Sequence, residues 1–280
     1  MKIDKVVFST SVEYSDFWNI NSKIFKTKLG IEPVCLLFGD RNKTDVNEDY
    51  GKVIDMPIIP DLPLLLQITW SKFYHTTTEL DTTWLIGDID MLPLQTRWFK
   101  ENIASIPDEH YIHLNVGGNC AMQGLPADHW YTYGGILEGG CDLPAHYHAA
   151  KGSTFKTTLD LNTSFDEQVR WMVNTKRYGL GHLNKDFNGD RFYWCAEEHR
   201  TTELIRSNIK KKITKFQGFA YNTTNNGQRV DRGGFNNNTN DYSYDRNKLV
   251  TGQFVDVHCM RPFKKYQAQN ENLVKLAGML

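Results

Sequence analysis

Asp88-Ile89-Asp90 sets two carboxylates one residue apart, directly after the apolar run Trp84-Leu85-Ile86. Residues two apart in an extended segment point to the same side. Where such a strand ends and the chain turns, both carboxylates can converge on one hard cation. Oxygen ligands of this kind suit Mg²⁺ or Mn²⁺, which also bridges phosphate oxygens. A second acidic pair, Glu197-Glu198, follows Trp194-Cys195-Ala196. Adjacent carboxylates repel, a helix N-terminus stabilises them, and an ionised carboxylate there suits a general base that takes a proton from a hydroxyl. The third cluster is His258-Cys259-Met260-Arg261-Pro262-Phe263. His258 reads either as a satisfied core histidine or as a metal ligand, and Arg261 carries a guanidinium shaped for phosphate oxygens. Each cluster taken alone also has a bland reading: a solvated turn, an acidic first helical turn, a buried ring. Together they make a coherent set, with a metal ligand beside a phosphate clamp and a carboxylate for proton transfer.

The elements that must position these groups alternate between strand and helix signals. Val6 to Ser9 reads as a buried strand. A helix follows, expected to be capped at Ser15, with Phe17, Ile20 and Ile24 on one face and Gly30 as its stop. Val34 to Phe38 is a second strand, ending in Gly39-Asp40, and Lys52 to Ile59 a weaker third. Asp61 is expected to cap a helix with Pro63 in its first turn and Leu66, Trp70 and Phe73 on one face. Thr83 to Gly87 then delivers the aspartates. Such alternation predicts a single α/β domain with a mixed, mostly parallel central sheet flanked by helices. Ligands bind at the carboxyl ends of strands in sheets of this kind, which makes Ser9, Thr10 and Asp40 ligand-binding candidates.

The chain becomes irregular from about residue 110. Ser164-Phe165-Asp166-Glu167 is a capping box before Val169, Met172 and Val173, and another helix starts near Glu197. The Asn- and Gly-dense stretch 222–247 reads as a long mobile loop, and Val255 to Val257 as a late strand delivering His258. Residues 1–110 and 111–280 are expected to form two halves of one domain, with Trp130, Tyr131, Tyr133 and Trp194 of the second half as rings suited to a sugar face.

The 280 residues carry 32 basic and 33 acidic side chains. That near balance argues against a bulk electrostatic partner such as duplex DNA or an anionic membrane, so any bound phosphate must be met by a local site. Five scattered cysteines without a C-x-x-C fit free thiols, with Cys35, Cys120, Cys141, Cys195 and Cys259 all far apart. With no signal-peptide pattern and no apolar run of spanning length, the expectation is a soluble cytosolic protein.

The order of strand-borne aspartate pair, Trp194-x-x-Glu197-acid and late His258 resembles the GT-A class of nucleotide-sugar glycosyltransferases. That resemblance implies that Asp90 and His258 hold Mn²⁺ (or Mg²⁺) on the donor diphosphate, with Asp88 on the metal or the donor ribose. It further implies that Glu198 is the base and Glu197 orients the acceptor. Thr69-Trp70-Ser71-Lys72-Phe73-Tyr74 is similar to the donor-side helix of glycogenin-like members, which adds Lys72 to the donor site beside Arg261. Those members retain anomeric configuration and end in a longer His…Lys-Pro-Trp motif. Here the motif is the shorter His258…Arg261-Pro262-Phe263, and Glu198 stands for the usual Asp, so retention stays open beside inversion. A narrower resemblance is to chlorovirus-encoded capsid-glycan glycosyltransferases, in particular a xylosyltransferase. It implies UDP-xylose as donor, a fucose hydroxyl on a glycan or glycoprotein as acceptor, and host cytoplasm as location. Two other classes remain as alternatives. One is a haloacid-dehalogenase-type phosphatase with Asp88 as nucleophile, against which Leu92 stands where a Thr is usual. The other is a non-catalytic carbohydrate-binding module using the aromatics alone.

Overall fold

The computed structural model describes residues 1–116, 142–175, 192–193, 195–220 and 229–280. The first half runs β1 (Lys5–Ser11), α1 (Trp18–Ile24), β2 (Glu32–Phe38), β3 (Lys52–Met56), α2 (Leu64–His75), β4 (Thr83–Ile86), β5 (Met91–Pro93), α3 (Arg97–Ala104) and β6 (His110–His113). It continues with β7 (His148–Lys151), α4 (Gly152–Thr158), α5 (Phe165–Thr175), α6 (Ala196–Lys210) and β8 (Lys215–Gly218). The last part contains β9 (Arg229–Asp231), β10 (Phe235–Asn236), β11 (Asp241–Tyr242), α7 (Arg246–Val250), β12 (Asp256–His258) and α8 (Gln267–Leu276).

A seven-stranded sheet has the order β3-β2-β1-β4-β7-β6-β8. β3, β2, β1 and β4 are mutually parallel, β7 runs antiparallel to both β4 and β6, and β8 is parallel to β6. The sheet is therefore α/β, mixed and mostly parallel, as the strand–helix alternation predicts. Strand order reverses beside β1: the chain moves outward through β2 and β3, then returns to the other side of β1 as β4. Such a switch point opens a crevice at the carboxyl ends of the two strands.

The strands are apolar on both faces because both faces are covered. Val6, Phe8, Cys35, Leu37 and Leu85 join a core with Phe17, Trp18, Ile24 and Phe25 of the first helical segment and Leu273 and Val274 of α8. Their alternating neighbours Val7, Val34, Leu36, Trp84 and Ile86 join a second core with Leu66, Trp70 and Phe73 of α2, Phe155 of α4 and Ile205 of α6. Period-two alternation along each strand thus feeds two separate layers.

Several local expectations differ from what forms. Ser15 caps no helix; it lies inside a 3₁₀ turn, Val12–Phe17, and its Oγ donates back to Val12 O at 2.8 Å. Gly30 does end the segment, in the left-handed conformation at φ 66°. Asp61 does not cap α2: Pro63 occupies the N-cap position without a side-chain bond, and Asp61 instead pairs with Arg170 of α5. β3 stops at Met56 rather than Ile59. The Asn-rich segment is no uniform loop where it is described, because Arg229–Asp231 pairs parallel to β12 and Phe235–Asn236 pairs with Asp241–Tyr242. The capping box forms as read, with Ser164 N donating to Glu167 Oε2 at 2.8 Å and Glu167 N to Ser164 Oγ at 3.3 Å. Among the described residues Cys35, Cys195 and Cys259 are free, and no helix is long and apolar enough to cross a membrane.

Two buried histidines face each other across β6 and β7, on the β4 side of the sheet. His113 Nε2 and His148 Nε2 both donate to Pro144 O, at 2.9 and 2.7 Å. Their Nδ1 atoms accept from Asn115 N and Tyr111 Oη, both at 3.0 Å. Each ring has one donor and one acceptor engaged, which only a neutral imidazole satisfies. Burial drives His113 down to about 3, and burial together with His113 drives His148 well below its ordinary range. Both values are depressed in the folded state, so the unfolded chain takes up protons that the native chain refuses. Their stabilisation is intact above the unfolded value of 6.5 and is lost as pH falls toward about 3. Each ring then costs about 1.4 kcal/mol per pH unit below ~6. Histidine ring NMR at pH 7.5 and at pH 5 should show His113 and His148 uncharged at both; a ring that takes up a second proton by pH 5 would mean that these rings are not held neutral.

Candidate active site

The Asp88–Asp90 turn leaves the carboxyl end of β4 at the switch point, and all three of its backbone carbonyls accept hydrogen bonds. Gly87 N donates to Val7 O at 2.9 Å, Met91 N to Asp88 O at 3.1 Å, and Cys259 N to Asp90 O at 2.9 Å. Fully buried Asn21 of α1 donates its Nδ2 to Ile89 O at 3.0 Å and Met91 O at 3.2 Å. Gly87 sits against the fully buried Phe8 ring, where an added Cβ would lie 2.3 Å from Cε1. The turn therefore needs a residue without a side chain immediately before Asp88.

The two aspartates meet different partners. Asp88 Oδ1 accepts from the ammonium of Lys72, a residue 3% exposed on α2, and Asp88 Oδ2 lies 3.4 Å from His146 Nδ1. Asp90 Oδ2 lies 3.1 Å from Arg232 Nη1, 3.4 Å from Arg261 Nε and 3.5 Å from His258 Nε2. His258 Nδ1 in turn lies 3.2 Å from Asp231 Oδ2. Burial opposes ionisation of Asp88, but Lys72 and His146 outweigh it and hold the carboxyl well below the usual carboxylate range. For Asp90, burial is likewise outweighed, here by His258 and Arg261, leaving it at about 2. His258 is raised, because its carboxylate partners Asp231 and Asp90 exceed the cost of burying its charge.

The second acidic pair opens α6, in the first helical turn as its sequence context predicts. The helix terminus does not settle its ionisation, because burial does. Burial and the Glu197 charge push Glu198 up to about 8, and burial raises Glu197 despite the opposing charge of Lys72. Glu198 Oε1 accepts from Ala145 N at 2.8 Å. Glu197 is only 5% exposed and interacts with Lys72 and Thr69.

The remaining candidates divide. Ser9 is partly exposed on β1, which continues past its pairing of Val7 with Ile86 toward the turn. Thr10 is buried, and its Oγ1 donates to Ser11 O at 3.0 Å. Asp40 is exposed and caps the short turn after β2, accepting from Asn42 N at 3.0 Å. Arg261 stacks 5.2 Å over the ring of Tyr14. Trp130, Tyr131, Tyr133 and Trp194 lie outside the described residues. The sequence reading missed Asn21, His146, Arg229 and Arg232. Their one visible signal is Arg229-Val230-Asp231-Arg232, two guanidiniums around a carboxylate in a stretch dense in Asn and Gly.

Asp90 and His258 offer a carboxylate oxygen and an imidazole nitrogen, a donor set that suits Mn²⁺. Two adjacent ligands of an octahedral ion at ~2.1 Å are about 3 Å apart, close to the separation of these two atoms. Among the described residues no cluster of three or more His, Cys, Asp or Glu side chains could hold a metal ion, and Arg232 and Arg261 share the same oxygen of Asp90. The pair thus fits two corners of a coordination shell, and the oxygens of a diphosphate are suited to fill others.

No protein-family model and no curated protein matches the chain. Among solved structures, it is similar to the apo form of the glycosyltransferase GlyE of Streptococcus pneumoniae TIGR4, at 10% identity and a TM-score of 0.36, over 78% of this chain and 45% of that one. It is also similar to the apo structure of the bifunctional glycosyltransferase WbbM, at 10% identity and a TM-score of 0.45, over 97% of this chain and 50% of that one. The chain spans about half the length of these two structures. Likeness at this level leaves the activity to be argued from the chain's own residues.

Proposed function

We propose that this chain is a metal-dependent glycosyltransferase that moves a sugar from a nucleoside-diphosphate donor to a hydroxyl of a glycan. The observation that carries the reading is one convergence. At the switch point of a mostly parallel sheet, a fixed turn presents Asp88 and Asp90 beside His258, Arg232 and Arg261, with the raised carboxyl of Glu198 opening the neighbouring helix. Asp90 and His258 would hold the cation, with Asp88 on the cation or the donor ribose. A bound divalent cation supplies charge neutralisation on the leaving nucleoside diphosphate. Arg261 and Arg232 would turn from Asp90 to the phosphate oxygens, an exchange of one anion for another. Lys72 keeps Asp88 ionised. Glu198 would take the acceptor's hydroxyl proton while that oxygen bonds to the anomeric carbon and the carbon–phosphate-oxygen bond breaks, inverting the configuration. The narrower resemblance adds UDP-xylose as donor and a fucose hydroxyl as acceptor to this proposal. A phosphatase using Asp88 as nucleophile is less well supported, since both of its oxygens face cationic or N–H partners.

Donor binding should require the cation, because the protein fills too little of its shell alone. Calorimetry with UDP-xylose should show weak binding in EDTA and clear binding with Mn²⁺; equal affinity in both would remove the metal from the proposal. A thermal-shift panel of UDP, GDP and their sugars identifies the base, with about 2.7 kcal/mol of stabilisation at a hundredfold excess over Kd.

Asp90→Ala should abolish transfer and greatly weaken nucleotide binding, since the remaining ligands cannot centre the cation. Near-native turnover by this variant would reduce the aspartate pair to a solvated turn.

Glu198→Gln keeps shape and hydrogen bonding but accepts no proton, so transfer should fall about 10²–10⁴-fold with donor affinity nearly unchanged. With Glu198 raised to about 8, the rate of the unmodified chain should climb as pH rises through that value, and the variant should lose this climb. Retained configuration in the product, read by NMR, or a fully active Glu198→Gln variant, would overturn the base and favour a retaining, glycogenin-like reaction.

A further inference from the structure

A buried chain of polar side chains leads away from the far side of Asp88. Its Oδ2 lies 3.4 Å from His146 Nδ1, and His146 is 7% exposed. His146 Nε2 lies 2.9 Å from Arg229 Nη2 and 3.2 Å from Asn115 Nδ2. Arg229, 5% exposed, donates through Nε at 2.6 Å and Nη2 at 2.8 Å to the two oxygens of Asp256, which is fully buried in β12. Arg229 and Asp256 are also directly paired in register between β9 and β12.

A guanidinium only donates hydrogen bonds. His146 Nε2 must therefore accept, the ring is neutral, and its single proton lies on Nδ1, toward Asp88. Burial and the Arg229 charge both hold the ring in this uncharged form. The neighbouring rings of His113 and His148 have the opposite arrangement, donating from Nε2 to Pro144 O. Three adjacent histidines thus divide into two tautomers, and only His146 aims its N–H at the acidic turn.

We propose that His146 is a positioning residue for the donor site: Arg229 fixes it as the Nδ1–H imidazole, and that N–H holds the second oxygen of Asp88. With Lys72 on the first oxygen and His146 on the second, the carboxylate plane of Asp88 is set before any ligand arrives. The functional part of this proposal rests on the glycosyl-transfer reading; the tautomer does not.

The test uses the full chain labelled with ¹⁵N-histidine and ¹³C-aspartate, read at pH 7.5 without ligand. The two-bond ring correlations should include an Nδ1–H imidazole that is missing from His146→Asn. An Nε2–H or charged His146 would overturn the proposal. The Asn amide replaces Nδ1, whereas Gln replaces Nε2. His146→Asn should therefore keep the Asp88 carboxyl resonance and the donor KM near native. His146→Gln should shift that resonance and raise the donor KM about 10- to 100-fold, the usual cost of losing such an outer partner, with kcat and the acceptor KM little changed. Equal behaviour of the Asn and Gln variants, or a loss confined to kcat, would overturn the positioning role. Failure of the native chain to turn over any nucleotide sugar counts against the transfer reading alone, because the tautomer and the carboxyl resonance are read without donor.

Discussion

Burying carboxylates together is the constraint on which this structure turns. Asp88, Asp90, Asp231, Asp256 and the pair Glu197-Glu198 gather around the carboxyl ends of β4 and β9, the amino end of β12 and the start of α6. Such a cluster is sustainable only with matched cations or with a proton kept on the acid, since an unpaired charge in the interior costs several kcal/mol. Lys72 from α2, Arg229 and Arg232 from the β9 region, and His258 and Arg261 from the β12 region supply the match. The small sheet β5-β12-β9 makes sense in this light: it docks the cationic strands against the acidic turn, with His258 paired to Met91 just beyond Asp90.

The same gathering pushes the acids apart in character. Asp88 and Asp90 lie against ammonium, guanidinium and imidazole groups and stay ionised far into acid. Glu198 has a backbone N–H and a neighbouring carboxylate, and is raised into the range where proton exchange near neutrality is possible. One cluster thus yields fixed negative charge for holding a cation or a ribose, and a separate group able to change its charge. Environments that separate titratable groups in this way are how acid–base roles are divided within a site.

The sheet was legible because its signal is local and repeated. Val6-Val7-Phe8, Val34 to Phe38 and Trp84-Leu85-Ile86 are apolar on both faces, and both faces are covered. The aspartate turn, Glu197-Glu198 and His258 were legible because each is a short run at an element's end. What failed was whatever depended on a distant partner. Asp61 looks like a cap until Arg170 takes it, and Ser15 like another until it bonds back to Val12 within a tighter turn. The stretch 222–247 has a loop's composition, yet Arg229–Asp231 becomes a strand because β12 is there to pair with it. His146 and Arg229 are 83 positions apart, and no spacing rule connects them. Asn21 was invisible for the same reason: it works on backbone carbonyls 68 and 70 positions away.

The origin of the cations in the chain has a consequence for how the molecule is made. Lys72 and Asp88 are 16 positions apart and emerge together, whereas the groups facing Asp90 come from Arg232, His258 and Arg261, the nearest of them 142 positions later. As synthesis proceeds from the N-terminus, strands β1 to β4 are available well before those residues exist. Until they arrive, the acidic turn is better hydrated than buried, and the loop closure needed to cover it is a long one. The crevice at the switch point therefore cannot be complete before Arg232, His258 and Arg261 have been made.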